Sequence, residues 1–155
     1  MNRRYLCIIF VILILMAGCF LHSKSSEMPS QPPTTIVKYK DSVIPTSIGE
    51  HNWIPKNGGS SYETGADYEV GEYTSEINAK SGDTITISVP YNPLSVEMYQ
   101  LLNRNDQRIG YSLTKKYKEY IFTLPSKRGD YVFEVFAKWD SDRHNTATIF
   151  KVFIE

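Results

Sequence analysis

Cysteine is scarce in this chain of 155 residues, which has only Cys7 and Cys19. Two cysteines cannot form the several disulfides that hold small secreted scaffolds together. The charge is balanced, with 17 basic and 17 acidic residues, so no basic excess is available to neutralise nucleic-acid phosphates. A hydrophobic content of 41% is too high for a disordered chain. The length fits one domain at most.

The local signatures of common enzymes are also missing. The chain has no G-x-S-x-G turn, H-E-x-x-H helix, G-x-x-x-x-G-K-[ST] loop or C-x-x-C pair. Beyond the N-terminal segment, no window of twelve residues keeps helical spacing without Gly, Pro or β-branched interruption. We therefore expect a protein that is not an enzyme, with no cofactor and no catalytic residue to name.

The N-terminal segment has the features of an export signal. Arg3 and Arg4 precede 17 uncharged, mostly apolar residues from 5 to 21. Residues 15–19 read Leu-Met-Ala-Gly-Cys, which resembles the lipobox of bacterial lipoproteins. The resemblance implies that residues 1–18 are removed and that Cys19 carries diacylglycerol. An ordinary signal peptide and an uncleaved span are the alternatives, since roughly 17–25 apolar residues cross a bilayer.

Residues 19–35 are predicted to be a lipidated cysteine followed by a tether rich in Ser, Pro and Thr. The part from 22 to 35 can span at most about 45–50 Å when extended. Two acyl chains hold a protein stably at a membrane, because each buried CH₂ contributes about 0.8 kcal/mol. Loss of Arg3 and Arg4 leaves a slightly acidic body. The sequence thus predicts a protein anchored in the cell membrane and facing outside the cytoplasm.

Residues 36–155 are predicted to be a domain of short strands. Residues 84–89 alternate between hydroxyl and apolar side chains, which is typical of a strand with one buried face. Similar runs occur over residues 36–39, 44–53, 68–73, 96–101, 109–113 and 120–124. Short strands about ten residues apart favour an all-β antiparallel sandwich of immunoglobulin-like type. A small closed barrel is the alternative.

The longest strands are expected to form a hairpin from residues 131–139 and 146–154. One face of the first strand is wholly apolar, from Tyr131 to Trp139 in steps of two. The opposite face includes Glu134 and Lys138. This pattern predicts one packed face and one face in water.

Three segments of the domain resemble a family of small secreted proteins from spore-forming Gram-positive bacteria. They are Ile-Pro-Thr-Ser-Ile-Gly at 44–49 leading to Trp53, Lys-Ser-Gly-Asp at 80–83, and Leu-Pro-Ser-Lys-Arg-Gly-Asp-Tyr at 124–131. The resemblance covers roughly residues 43–155. It implies the same fold and compartment and brings no activity with it.

An aromatic group in the first half of the domain is the candidate ligand site. Glu50, His51 and Trp53 lie close in sequence to Tyr62 and Tyr68. Tyr and Trp offer flat faces for sugar rings and a polar edge, which suits a protein near peptidoglycan. The alternative is that Trp53 and the tyrosines belong to the core and to cross-strand pairs.

Two further motifs have ordinary alternatives. Asp140, Asp142 and His144 alternate in one loop and could converge on Ca²⁺ or Mg²⁺, although polar residues are common at hairpin tips. Residues 128–130 spell Arg-Gly-Asp, the integrin-binding tripeptide. Gly129 is better explained as a turn glycine with positive φ.

The function predicted from the sequence is a binding or interaction module at the cell envelope. Its partners would be the membrane, through Cys19, and a wall polymer or another envelope protein, with no nucleic acid. An enzyme acting on the wall, with an unusual site between residues 50 and 73, is the first alternative. A subunit of a membrane complex, using the exposed face of the last hairpin, is the second.

Overall fold

The computed structural model describes residues 28–54, 60–62, 66–105, 107–140 and 143–155. They form two mainly antiparallel β-sheets packed face to face, so the predicted all-β sandwich is confirmed. Within these ranges no helix is long and apolar enough to cross a bilayer. The predicted signal segment, Cys19 and Asp142 lie outside the described residues.

Twelve strands and one short helix, α1, make up the described part of the chain. Their bounds are β1 Ile36–Tyr39, β2 Ser42–Val43, β3 Ser47–Trp53, β4 Ser60–Tyr62, α1 Asp67–Tyr73, β5 Glu76–Ala79, β6 Thr84–Ser88, β7 Ser95–Leu101, β8 Arg108–Tyr111, β9 Thr114–Lys116, β10 Glu119–Thr123, β11 Gly129–Lys138 and β12 His144–Ile154.

The smaller sheet has the strand order β2-β1-β6-β10-β9. Its central strand β6 is the alternating segment predicted from the sequence. Ile85 and Ile87 are completely buried, and the hydroxyl side chains between them point to the other face. β10 pairs with β6 and adds Tyr120 and Phe122 to the buried face. The predicted strand faces are confirmed in this sheet.

The larger sheet has the order β4-β3-β12-β11-β7-β8. The β11–β12 hairpin pairs over ten residues on each strand, from Gly129 opposite Ile154 to Lys138 opposite Asn145. On its other side β12 has two partners. β3 runs antiparallel to its first half, and β5 runs parallel to its last four residues. β12 therefore holds the larger sheet together along its whole length.

The core between the sheets is aromatic. Phe133 is fully buried, and its ring centroid lies 5.0 Å from that of Phe122 on the opposite sheet and 5.4 Å from that of Phe150. At one end of the sandwich Trp53 and Trp139 meet edge to face at 5.3 Å. Edge-to-face pairs of this kind add to the area that the rings bury. The apolar face predicted for residues 131–139 is confirmed.

The opposite face of the hairpin was predicted to be in water, and that prediction was wrong. Val132 is 5% exposed and Glu134 is 2% exposed. Neighbouring Ile149 on β12 is also buried. The cause is α1, which lies across this outer face and contacts β3, β11 and β12. The larger sheet thus has a second, smaller hydrophobic layer on its outer side.

Residues 68–73 were expected to form a strand, and they are the body of α1 instead. Asp67 and Glu69 place negative charge in the first helical turn, where the peptide dipoles favour it. Tyr68 and Val70 pack on the small outer cluster of Leu101, Val132, Ala147 and Ile149. A helix of seven residues is too short to show a full period, so tertiary packing determines its conformation.

The segment before β1 packs against the sandwich from residue 28 onward. Met28 contacts the main core, the Pro29 carbonyl accepts a 2.9 Å hydrogen bond from the indole N–H of Trp53, and Thr35 is 2% exposed. The sequence placed the start of the domain at residue 36. In the structure the second half of the expected tether belongs to the folded body.

Candidate functional site

Trp53 and Tyr68 of the sequence-predicted aromatic site do not share one open face. Trp53 is 0% exposed between the two sheets, whereas Tyr68 lies on α1, on the outer side of the larger sheet. His51 is half-buried on β3, with Nδ1 3.4 Å from the Gly49 carbonyl, and it pairs in register with Tyr62 of β4. Trp53 therefore takes the core position that was the alternative to a sugar platform.

Asp140 and His144 interact with each other at the tip of the last hairpin. One carboxylate oxygen of Asp140 accepts hydrogen bonds from the backbone N–H groups of Arg143 at 2.8 Å and His144 at 2.9 Å. The other oxygen lies 2.5 Å from Nδ1 of His144. Burial raises the pKa of Asp140, but these hydrogen bonds outweigh it and lower the pKa overall. Among the described residues no cluster of three or more His, Cys, Asp or Glu suits a metal ion.

The Arg-Gly-Asp segment opens β11. Gly129 has φ of 150°, so the prediction of a positive φ is confirmed. Arg128 lies over the ring of Phe153 at 5.5 Å. A shallow cavity of about 510 Å³ next to this segment is lined by Ile109, Tyr111 and Tyr131. The Tyr111 hydroxyl donates to Gln100 at 3.0 Å, and burial raises its pKa.

The strongest candidate site is a groove on the outer face of the larger sheet, which we call the outer groove. It has a volume of about 440 Å³. β3, β12, β11, β7 and β8 supply its floor, and the first residue of α1 stands at its rim. The residues that give it chemical character are four carboxylates, two cations and two aromatic rings: Glu50, Asp67, Glu97, Glu134, Arg108, Lys138, Tyr99 and Phe136.

Glu134 is the most deeply placed charge of the outer groove. Its side chain is 3% exposed, and one carboxylate oxygen lies 3.4 Å from Nη1 of Arg108. The Arg108 guanidinium in turn lies 5.0 Å from the centre of the Tyr99 ring. A buried carboxylate is costly unless a cation and hydrogen bonds accompany it. The pair between β11 and β8 therefore keeps a charge at a position where an apolar residue would pack more easily.

Glu97 and Tyr99 form a second polar pair beside the first, both on the outer face of β7. The Tyr99 hydroxyl donates a short hydrogen bond to the Glu97 carboxylate. This hydrogen bond, and burial of the ring, raise the pKa of Tyr99. The hydroxyl therefore stays protonated in neutral solution, where it acts as a donor to the carboxylate.

Two glycines let α1 approach the sheet closely enough to form the rim. A Cβ on Gly71 would lie 2.1 Å from Cγ1 of Val132, and one on Gly49 would lie 2.6 Å from Oδ1 of Asp67. The same Asp67 oxygen accepts a 2.8 Å hydrogen bond from the backbone N–H of Glu50. Close backbone approach at these two glycines therefore fixes where the Asp67 carboxylate stands.

An exposed ion-pair network ties α1 to the β7–β8 turn. Arg104 lies 3.2 Å from Glu69 and 3.7 Å from Glu72 on the helix. Because the Arg104 side chain is 69% exposed, each pair adds little stability. Its position still links the β7–β8 turn to the helix whose first residue forms the rim of the groove.

The outer groove offers mainly hydrogen-bond acceptors. Its carboxylates outnumber its cations, and the Tyr99 and Phe136 rings lie among them. Carboxylates accept from hydroxyl and ammonium groups, and aromatic faces stack on sugar rings. Of the groove residues, the sequence-predicted site included only Glu50, although Glu97, Tyr99, Glu134 and Phe136 occupy alternate positions on two strands. The sequence feature that could have indicated this site was a set of polar residues on the strand face opposite the core.

Three comparisons with known proteins found no counterpart: no family model, no curated protein and no solved structure matches this chain.

Proposed function

We propose that this chain is a binding module of the cell envelope, anchored through diacylglycerol on Cys19 and facing outside the cytoplasm. The lipobox-like segment at residues 15–19 supports the anchor. The outer groove supports the binding role, and its ligand is a hydroxyl-rich or amino-bearing segment of a wall polymer. Phe136 and Tyr99 contact the sugar face, while Glu97 and Glu134 accept hydrogen bonds from its edge.

The observation that carries the binding role is the ion pair of Glu134 and Arg108. The fold does not require a charge at position 134, which is 2% exposed, because the apolar side chain of Val132 packs on the same face of the strand. Buried, paired charges that line a cavity are typical of sites that recognise polar ligands. The pair also holds the Glu134 carboxylate in one place, which lowers the entropy lost on binding.

The groove is tested by sedimenting the full-length, processed protein with purified cell wall. Glu97→Gln removes one charge from the groove, and Glu119→Gln is its matched control on the smaller sheet. Both carboxylates accept hydroxyl hydrogen bonds, Glu97 from Tyr99 and, at 3.5 Å, from Ser95, and Glu119 from Ser88. Loss of a charged hydrogen bond costs about 1.5–3 kcal/mol, so Glu97→Gln should weaken binding about tenfold or more. Equal binding by both variants would reject the groove.

The anchor is tested separately by Cys19→Ala and fractionation. The wild-type chain should partition into the membrane fraction in a processed form. The variant should leave that fraction or accumulate as an uncut precursor whose signal is still apolar. A variant that is cut as before and released would show an ordinary signal peptide. A wild-type chain that keeps its signal and stays in the membrane would show a transmembrane anchor.

A wall-active enzyme is the second candidate, because Glu97 and Glu134 line the same groove and glycoside hydrolysis uses two carboxyl groups. Both side chains already have protein partners, Tyr99 and Arg108, which favours binding over proton transfer. Release of soluble fragments from labelled wall separates the two. Release that disappears in Glu134→Gln but continues in Glu119→Gln would establish the enzyme.

A subunit of a membrane complex is the third candidate. The open face of the last hairpin was its expected contact, and α1 covers part of that face. Cross-linking of the anchored chain in intact cells, followed by recovery of a stoichiometric protein partner and no wall material, would favour this function over the groove.

A further inference from the structure

We call the end of the sandwich where β3 and β11 finish the entry end. It is marked by the two tryptophans, whose indole N–H groups donate to the carbonyls of Pro29 and Pro90 at 2.9 and 3.0 Å. The backbone of Leu94 is tied to it by a 2.7 Å hydrogen bond to Lys138, and that of Ile54 by one of 3.0 Å to Arg143.

The β9–β10 turn lies at the same end. Glu119 stands opposite Ser88 in the smaller sheet, so Tyr117 extends beyond the last residue of β6. Ile36, the first residue of β1, also pairs with Ser88. The first described residues, the β6–β7 loop and the β9–β10 turn therefore project from one end.

Large apolar and aromatic side chains are exposed at the tips of this end. Leu94 is 75% exposed, Tyr117 is 92% exposed and Tyr91 is 46% exposed. Tyr91 and Tyr117 have φ of 59° and 57°, a left-handed conformation that is unfavourable for a bulky side chain. Residues held in such conformations cluster at functional sites. Two tyrosines in this state at one end of the fold are unlike ordinary turn residues, which are Gly, Asn or Asp.

The length of chain between Cys19 and Met28 limits how far this end can lie from the membrane. Because Met28 packs on the core, only nine residue steps separate it from Cys19, and they reach about 30 Å when fully extended. If Cys19 carries the lipid, the entry end is held within that distance of the membrane. Tyrosine and leucine side chains are suited to the boundary between headgroups and acyl chains, where one part of the ring is apolar and the hydroxyl is wet.

We infer that the entry end rests on the bilayer surface, with Tyr91, Leu94 and Tyr117 inserted at headgroup depth. This inference rests on the lipid anchor of the proposed function. Contact by tips that are already ordered adds to the hold of the acyl chains without requiring a basic surface, which this slightly acidic body lacks. It also sets the strands of the larger sheet upright, so the outer groove, which lies on a face of that sheet, opens sideways, parallel to the lipid plane.

β7 provides a matched pair of positions for the test. Leu94 precedes this strand at the entry end, and Leu102 follows it at the far end, 41% exposed. Eight residue steps along the strand separate the two leucines by about 26 Å. Once the signal is removed and Cys19 is acylated, a cysteine introduced at either position is the single free thiol. Leu94→Cys and Leu102→Cys can each carry one fluorophore on the full anchored chain.

The labelled proteins are reconstituted into vesicles of phosphatidylcholine and phosphatidylglycerol, and the fluorophore is quenched by iodide from water or by nitroxide lipids from the bilayer. From exposure alone, the label at position 94 should be the more accessible to iodide. Membrane contact reverses that order and makes nitroxide quenching at position 94 about threefold stronger or more than at position 102. Circular dichroism of both variants confirms that they fold alike.

Each other result overturns the inference. Iodide quenching that stays greater at position 94 on vesicles would show an end that does not touch lipid. Shielding of position 94 in native membranes but not in pure lipid vesicles would show a protein partner there instead. Vesicle flotation reports the anchor independently. If the chain does not float, both the lipid anchor and the membrane-facing end are rejected. If it floats while position 94 stays accessible to iodide, the anchor is supported and only the membrane-facing end is rejected.

Discussion

The two faces of the larger sheet are built from the same strands but are covered in different ways. On the inner face, Phe133 and Val135 of β11 pack against the other sheet without a polar atom. On the outer face, Val132 and Glu134 of the same strand are as well buried, under a helix of seven residues and beside an arginine. Burial alone therefore does not distinguish core from site. What distinguishes them is the size of the covering layer, which on the outer side is too small to close the surface and leaves a groove.

The largest expected effect comes from removing an inner-face ring. Phe133→Ala deletes a fully buried side chain whose ring lies within 6.1 Å of four others, so it should lower the free energy of unfolding by about 3–5 kcal/mol. Phe136→Ala, on the partly buried outer face of the same strand, should cost less than half as much. Urea denaturation of both variants gives the comparison. Equal losses would mean that the two faces are equally packed.

A smaller effect is expected where α1 meets the sheet. A methyl group at Gly71 would overlap Val132, so Gly71→Ala should destabilise by about 1–3 kcal/mol and loosen the rim of the outer groove. Gly110→Ala is the control, because the nearest atom to its added Cβ is 3.8 Å away on the Tyr99 ring. Thermal unfolding separates the two. A neutral Gly71→Ala would show that the helix can move off the outer face without loss.

The ion pair of the outer groove should come next. Arg108→Met leaves the Glu134 carboxylate buried without this cation and should cost about 1–2 kcal/mol, since the arginine itself is 42% exposed. Arg104→Met removes an exposed ion-pair network and should change stability by less than about 0.5 kcal/mol. Chemical denaturation at neutral pH compares them. A larger loss for Arg104 would assign the outer face to helix docking and not to the buried pair.

The smallest effect concerns pH at the hairpin tip. Hydrogen bonds hold the pKa of Asp140 below its ordinary value of 3.8, so the ionised group stabilises the fold above that pH and the contribution is lost as the pH falls through the lowered pKa. Asp140→Asn cannot ionise. The stability difference between wild type and variant should therefore be largest at neutral pH and shrink below about pH 4. Denaturation curves at pH 7 and pH 3 test it; a constant difference would assign the effect to geometry alone.

Strand alternation predicted the inner face of the fold well, and the reason is local. Ile85 and Ile87 on β6, and Phe133 and Val135 on β11, repeat every second residue, and each repeat records which side of the strand is covered. The same rule failed on the outer face, since it counts Glu134 as polar and therefore as wet. Nothing near position 134 in sequence reveals that Arg108, 26 residues away, closes over it.

The candidate site was harder to predict than the fold because its parts come from distant segments. The outer groove joins side chains from β3, α1, β7, β8 and β11, whereas the predicted aromatic site relied on closeness in sequence. Trp53 illustrates the difficulty, because a tryptophan side chain suits a sugar-binding platform and a hydrophobic core equally well. The position of α1 could not be predicted either, since its seven residues contain too little periodicity. Its placement on the sheet depends on the close contact between Gly71 and Val132.

The central place of β12 has a consequence for when the domain can form. This strand spans residues 144–154, and it pairs with β11, with β3 and with all four residues of the parallel strand β5. In a chain synthesised from its N-terminus, β3 and β5 cannot join β11 until those residues are present, so the larger sheet stays incomplete until the end. Under the export proposed above, folding would be completed only after this last strand arrives, so the chain would stay unfolded while it crosses the membrane.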